Sequence, residues 1–443
     1  MNPTQKNKFT QGAIAVAVSL LFQPQQMLAN PTGAQVVSGT VNITQPNAST
    51  LNVTNSAGAI INWQGFSIGA NEVTRFIQPS ASSAVLNRVV GPDISSIQGQ
   101  LLSNGRVFLI NPAGIIIGPN AMIDTAGFVG SALNMSNADF LAGKLRFSGD
   151  ATSGAVINQG WIRTDYGGNV LLVAPRVENS GLIQTPGGEL ILAAGQKLTV
   201  TSPHAEGVQF EVQAPTDSVV NIGKLLADGG AVGVFAGTLR HSGDIRAASL
   251  AADASGRIVL RAQGNIELAA GSVTSVAGNG GGTITIEGNG LLQAAGTIDA
   301  RGSSSAGGNV NLKADVLMQT GAVRADGASG GAITMQARNL LTAGPISTEG
   351  NQGAGGSITL QASNNLIQTA ASQLSANSAA GNGGGITIQA EGQVLSSTTA
   401  SATGATGGAI KVLRCVIRGR VTYVDAASAC ADGSEGKVTV PPR

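Results

Sequence analysis

Few side chains in this chain could do acid–base, nucleophilic or metal chemistry. There are two histidines, His204 and His241, and two cysteines, Cys415 and Cys430. Neither histidine belongs to a metal-ligand spacing, and two cysteines do not make the four-ligand pattern of a zinc site. Asp299, Asp315 and Asp326 could serve a carbohydrate-cleaving site only if the fold gathered them on one face, and they fall on different strands and turns. Gly278-Asn-Gly-Gly-Gly282 has the glycine content of a phosphate loop but no following Lys-Ser/Thr. The Gly-Gly repeats lack the alternating Asp of calcium-binding nonapeptides. No cofactor or metal is expected, and the chain reads as a non-enzyme. A formal charge of +1 gives no field that would select nucleic acid.

What must position these residues is a β scaffold. Of 443 residues 63 are Gly, only 3% are aromatic and 11% charged. That balance suits many short strands and tight turns. The central stretch is Val107-Phe-Leu-Ile-Asn-Pro-Ala-Gly-Ile-Ile-Ile-Gly118. Its two β-branched runs are too continuous for half-exposed strands, so both read as core strands. Pro112 suits the first corner of the turn between them. Gly114 can supply a positive φ at the second corner.

From about residue 154 the pattern Gly-Gly-x-apolar-x-apolar recurs, beginning at Gly167, Gly187, Gly229, Gly281, Gly307, Gly330, Gly355 and Gly407, with a shorter copy at Gly384. Gly281, Gly307, Gly330 and Gly355 are 26, 23 and 25 residues apart, a solenoid period. Each period holds about three short strands, such as Val310/Leu312, Val316–Met318 and Val323/Ala325. One period is therefore one coil of a parallel β-helix, right-handed by the crossover rule. Residues two apart share a face. Ile284/Ile286, Ile333/Met335, Ile358/Leu360 and Ile386/Ile388 should point inward, and Thr285, Thr334, Thr359 and Thr387 outward. The interval from Gly187 to Gly229 is 42 residues with no Gly-Gly between, and Val208–Val212 alternates as a strand. That region should form a hairpin or small sheet standing off the helix.

The N-terminus reads as a secretory signal: Lys6 and Lys8, then the apolar run Gly12–Phe22, then a cleavage site after Met27-Leu28-Ala29. The run is short of the ~20 apolar residues of a spanning helix. Both cysteines then reach an oxidising compartment, and, 15 residues apart, they have one intramolecular pairing. A disulfide Cys415–Cys430 would stabilise the C-terminal loop by ~3 kcal/mol in the chain-entropy model. It would act as an end cap, or as a knot retaining the protein at the surface. Lys411, Arg414, Arg418 and Arg420 beside it read as a solvated basic face.

Four ordered motifs carry a family resemblance: Ala59-Ile-Ile-Asn-Trp-Gln-Gly-Phe66, Ala84-Val-Leu-Asn-Arg-Val89, Ile97-Gln-Gly-Gln-Leu101 and Phe108-Leu-Ile-Asn-Pro-Ala-Gly-Ile115. They resemble the secretion domain of the two-partner secretion exoproteins of the filamentous haemagglutinin and high-molecular-weight adhesin group. The likeness runs from about Val36 to Gly149 and more loosely to Leu250. Trp63 and Phe66 within it read as core or cap residues. The group's turn is usually Asn-Pro-Asn-Gly-Ile, and Ala113 replaces its second Asn. The group's second motif, Asn-Pro-Asn-Leu, has no clear counterpart. The resemblance implies a secretion motif at Asn111, Pro112, Ala113, Gly114 and Ile115. It also implies an outer-membrane transporter as partner, export through the periplasm, and a secreted or bacterial cell-surface protein. An adhesin with a host-cell or surface glycan or protein receptor is expected. A polysaccharide-acting β-helix enzyme and a haemolysin-type exoprotein are the alternatives. The sequences Asn42-Ile-Thr, Asn47-Ala-Ser, Asn52-Val-Thr and Asn134-Met-Ser match the glycosylation pattern but read as ordinary polar strand and turn residues. The expected organisation is an all-β right-handed parallel β-helix with an N-terminal cap and extra-helical strands. Its parts are a signal peptide (1–29), a secretion domain (30–245), a repeat stem (246–413) and a C-terminal cap with the cysteine pair (414–443).

Overall fold

The structure is a computed structural model that describes residues 30–150, 152–200, 208–211, 217–248 and 256–413, together with the short strands Ile417–Arg418, Thr422–Val424 and Ala427–Cys430. The proposed signal peptide, His204 and Cys415 lie outside the described residues. Cys430 ends a strand in register with Val412, and the expected Cys415–Cys430 disulfide lies outside the described residues.

Each coil has three faces. A typical coil runs Thr283–Gly288, Leu291–Ala294 and Thr297–Asp299. Strands of successive coils pair in parallel: Ile284 with Val310, Val310 with Ile333, Ile333 with Ile358, Ile358 with Ile386, and Ile386 with Ile410. Among the described residues the first two faces form one 27-stranded sheet and the third a 16-stranded sheet. The fold is the right-handed parallel β-helix expected. Two coils depart from three separate strands: Asn309–Gln319 and Ala332–Thr342 run unbroken around the corner between the first and second faces.

The inward isoleucines and leucines are at most 1% exposed, and the intervening threonines are half-buried in an outward column. The repeated Gly-Gly has a steric cause. A Cβ on Gly331 would lie 2.1 Å from the Gly308 carbonyl oxygen. That same oxygen accepts the Ala332 N–H at 2.9 Å. Stacking at the interstrand distance brings the corner backbone so close that a side chain has no room. The pattern repeats at Gly356 against Gly331 and Gly384 against Gly356.

The N-terminal end is closed by strands of opposite direction. Gln35–Ser38 runs antiparallel to Ala59–Trp63, and Val41–Asn47 antiparallel to Thr50–Asn55. Asn47 accepts the Ser49 N–H and hydroxyl with its side-chain oxygen, which is turn chemistry. At the other end Ile417–Arg418, Thr422–Val424 and Ala427–Cys430 add one more parallel strand to each face.

The small sheet expected near Val208 exists but does not stand off the helix. Leu145–Ser148, Lys197–Val200 and Val208–Glu211 form an antiparallel three-stranded sheet. With the short helix Asn137–Leu141, it lies on the outer side of the first face. Ser136 caps the helix by accepting the Asp139 N–H, and Gly143 at φ 66° follows its end. A second apolar cluster fills the space beneath. Phe108, Ile110, Val129, Leu171 and Ile191 come from the coils, and Leu133, Phe140, Phe147 and Leu198 from the cover. Phe108 and Phe140 meet edge-to-face at 5.2 Å. Here the first face is buried on both sides, which is why its strands read Val-Phe-Leu-Ile and Val-Leu-Leu-Val. Past Phe235 and Val259 the cover ends, and the strands alternate as Thr-Ile-Thr-Ile.

These faces set a test. Ile358→Asp would put an unpaired carboxylate into the core and should cost at least ~3 kcal/mol. Thr359→Asp, in the outward column, should cost less than ~1 kcal/mol. Thermal unfolding of the two purified variants measures the difference; equal losses would mean the faces are assigned wrongly.

Candidate functional site

The turn expected to matter joins the strands Arg106–Ile110 and Ile115–Ile117. The Gly114 N–H donates to the Asn111 carbonyl at 2.9 Å, closing a β-turn with Pro112 and Ala113 at its corners. The positive φ falls on Gly114, at 119°, one place later than the second corner expected from the sequence. Ala113 itself takes that corner. A Cβ on Gly114 would also meet the Ala155 carbonyl at 2.9 Å.

Asn111 is completely buried. Its side-chain oxygen accepts the Ala113 N–H at 2.9 Å, stiffening the turn from inside. Its side-chain amide donates to the Asp93 carbonyl and to the Ser95 hydroxyl, both at 2.9 Å. Its backbone N–H donates to the Ser131 carbonyl. Pro112 accepts the Gly154 N–H at 2.8 Å. The turn thus latches the coil before it to the coil after it, and Ile115 and Ile117 follow directly into the core.

Three of the four motifs converge on this latch. The Trp63 indole N–H donates to the Asn87 side-chain oxygen at 2.9 Å, and the Asn87 amide donates to the Phe108 carbonyl at 3.2 Å. Trp63 packs edge-to-face on Phe66 at 5.7 Å, and both are core residues as expected. Arg88 reaches outward to the Met135 carbonyl and the Asn137 side chain, tying the coils to the cover. Asn87 and Arg88 belong to the second motif, and neither role follows from the motif itself. A buried Asn beside Arg in an apolar strand was the available signal, since buried polar groups need partners. In the remaining motif, Gly99 fits where a Cβ would meet the Gly69 and Glu72 carbonyls at 2.2 and 2.3 Å.

The candidate chemical residues stay apart. Asp299 pairs with Arg301, Asp315 with Arg338, and Asp326 accepts from the Ser347 hydroxyl and the Glu349 N–H. Among the described residues no group of three or more His, Cys, Asp or Glu could hold a metal ion, and no helix is long and apolar enough to cross a membrane.

His241 has a structural place instead. It ends a buried amide ladder at one corner of the helix. The Asn158 amide donates to Asn179 and the Asn179 amide to Asn221, each at 2.8 Å. The Asn221 amide donates to His241 Nδ1 at 3.1 Å, and His241 Nε2–H donates to the Val273 carbonyl at 3.1 Å. The ladder is closed by apolar residues, Ile117 before Asn158 and Leu268 after His241. The Asn221 amide calls for a bare Nδ1 and the Val273 carbonyl for a proton on Nε2, and burial is what disfavours adding a second proton to the ring.

A profile of the TPS secretion domain matches residues 24–335, more than two thirds of the chain. The chain belongs to the two-partner secretion family. The match covers both the irregular N-terminal coils and the first regular repeats. A heme/hemopexin-binding protein of Haemophilus influenzae strain Rd is 34% identical over 209 residues, covering 44% of this chain and 23% of the relative. A second heme/hemopexin-binding protein of Haemophilus influenzae is 31% identical over 131 residues, covering 29% of this chain and 14% of the relative. The chain thus spans less than a quarter of the length of these curated relatives. The crystal structure of the HMW1 secretion domain from Haemophilus influenzae superposes with a TM-score of 0.65 at 28% identity, covering 90% of this chain and 99% of that one. The exoproteins of this family are exported across the outer membrane.

The ladder gives a pH test. Burial pushes the His241 pKa down from its ordinary 6.5. The unfolded chain therefore takes up a proton that the folded chain refuses, so stability is complete above pH 6.5 and falls as pH drops toward the depressed value. The loss is at most about 1.4 kcal/mol per pH unit from this group. His241→Asn, which extends the amide ladder, should remove that component. Melting temperatures at pH 7.5 and 5.5, taken as about one unit on either side of the free histidine value, check it; an identical pH dependence in both proteins would exclude His241 as its source.

Proposed function

We propose that this exoprotein leaves the cell through a partner outer-membrane transporter, with the Asn111–Ile115 turn as its secretion motif, and acts outside as a non-enzymatic, adhesin-like binding protein. The observation that carries the reading is the contrast between the two halves of the helix. The N-terminal coils are buried on both sides of one face and hold the four family motifs. The later coils turn columns of uncharged polar residues outward, such as Thr285, Asn311, Thr334, Thr359 and Thr387. Such a surface suits reversible contact with a host-cell or surface glycan or protein receptor. The carboxylates singled out for a polysaccharide-cleaving site do not face one another: Asp299 is held by Arg301, Asp315 by Arg338, and Asp326 by the Ser347 hydroxyl and the Glu349 N–H. The heme/hemopexin-binding relatives favour one second reading, capture of a host haem-carrying protein.

Asn111 supports the export step physically. Its side chain joins Asp93, Ser95 and Ala113, so the first coils close only when it is seated. Coils that fold outside the cell oppose back-sliding through the transporter. With the transporter co-expressed, Asn111→Ala should lower secreted yield several-fold, whereas Thr334→Ala should leave it unchanged. Equal yields would remove any special role for Asn111.

Adhesion is tested by displaying the protein with its transporter on non-adherent bacteria. Adherence to epithelial cells should rise several-fold over bacteria carrying the transporter alone. Retention of immobilised hemopexin without cell adherence would favour the second reading. Release of reducing sugar from polysaccharide would overturn the non-enzymatic one.

A further inference from the structure

The corner where the first and second faces meet is open on the outside over four coils. A trough of about 640 Å³ runs there, within the size range of ligand sites. Its floor is lined by three alanines, Ala314, Ala337 and Ala362, stacked in register. One wall is a second column, Lys313, Gln336, Gln361 and Gln389. The Gln336 amide donates to the Gln361 side-chain oxygen at 2.9 Å, which orients both groups. Arg338 grips Asp315 with two hydrogen bonds of 2.7 and 2.9 Å on the floor's far side.

The chemistry narrows the ligand. Two cations, Lys313 and Arg338, face two anions, Asp315 and Glu391. A polyanion or polycation would meet as many like charges as opposite ones. Each glutamine offers a donor and an acceptor in one plane, the complement of a hydroxyl that both donates and accepts. The column repeats at ~4.8 Å, the interstrand distance, so it offers a row of equivalent contacts to a repeating chain. A peptide adding as a strand has no purchase, because the strands beneath are paired on both sides. The small floor leaves depth for rings. None of the lining side chains is aromatic, so hydrogen bonding carries recognition and a single site is weak. Many copies on one surface would make up the difference by avidity.

We propose that this trough is a binding site for an extended, uncharged polysaccharide. The inference deepens the adhesive reading and rests on it. It is tested by affinity gel electrophoresis of the whole secreted protein in gels containing galactomannan, xyloglucan or mannan, with heparin and dextran sulfate as polyanion controls. At least one neutral polymer should retard the protein. Gln336→Ala combined with Gln361→Ala should weaken that retardation about tenfold, a loss of about 1.4 kcal/mol. Ser363→Trp fills the trough from its exposed rim without touching the glutamine column, and should have the same effect with an unchanged melting temperature. Retardation by no neutral polymer, by polyanions alone, or equally in both variants and the parent overturns the proposal. Adherence of displaying bacteria, measured alongside, separates the two readings. Adherence without neutral-polymer binding leaves the adhesive reading and sinks the trough. Trough-dependent binding without adherence supports the trough and sinks the adhesive reading.

Discussion

Within the stacked coils, the open edge of one strand is satisfied by the matching strand of the next coil. Each coil both donates N–H groups to the next and accepts from it, as Ala325 to Ser347 and Ala332 to Gly308, and no coil can bury its own inner face. That single requirement propagates through the molecule. It holds Ile284, Val310, Ile333, Ile358, Ile386 and Ile410 in one column, because a slip of one residue would turn each to solvent. It also places Gly331 against the Gly308 carbonyl and leaves room there for nothing larger. At the N-terminal end it explains the antiparallel cap, which covers an edge that would otherwise be open.

The latch at Asn111 is the same requirement met by a side chain. Where the chain turns from the first face to the second, backbone groups of three consecutive coils approach without strand pairing. A buried asparagine supplies both the donors and the acceptor they need, reaching Asp93 and Ser95 on one side and Ala113 within the turn. Trp63 and Asn87 extend the connection into the two preceding strands of the same face. The ladder Asn158–Asn179–Asn221–His241 solves a related problem at another corner. There, side-chain amides pair from coil to coil instead of the backbone alone. Both devices are buried, so each missing partner would leave a polar group without water.

The two halves of the helix differ in what covers the first face. In the N-terminal half the helix Asn137–Leu141 and the three-stranded sheet make a second apolar core. In the later coils the same face meets solvent, and its outward positions become Thr, Asn, Gln and charged pairs such as Arg261–Glu287. The family match crosses this change without a break, ending at residue 335. One scaffold thus carries a covered, motif-rich half and an open, repetitive half, and the reading of export for one and binding for the other follows that division.

Much of this was legible in the sequence because the β-helix writes itself with periods of two and of about 25 residues. The inward and outward faces of Ile358 and Thr359, the coil boundaries at Gly-Gly and the core run before Asn111 all follow from spacing. The identity of the turn followed from Asn, Pro and Gly in order, since each has a distinct backbone use. Other features depended on contacts between residues far apart in the chain. The strand at Val208 was visible, but not that its sheet lies down on the first face, because that depends on Phe140, Phe147 and Leu198 finding Phe108 and Ile191. Gly114 was expected at the second corner, yet the hydrogen bond from its own N–H to Asn111 places it one residue later. The partners of Asn87, Arg88 and His241 were invisible for the same reason. Periodicity reports which way a side chain points, whereas a hydrogen-bond partner 21, 47 or 20 residues away is chosen only when the coils stack.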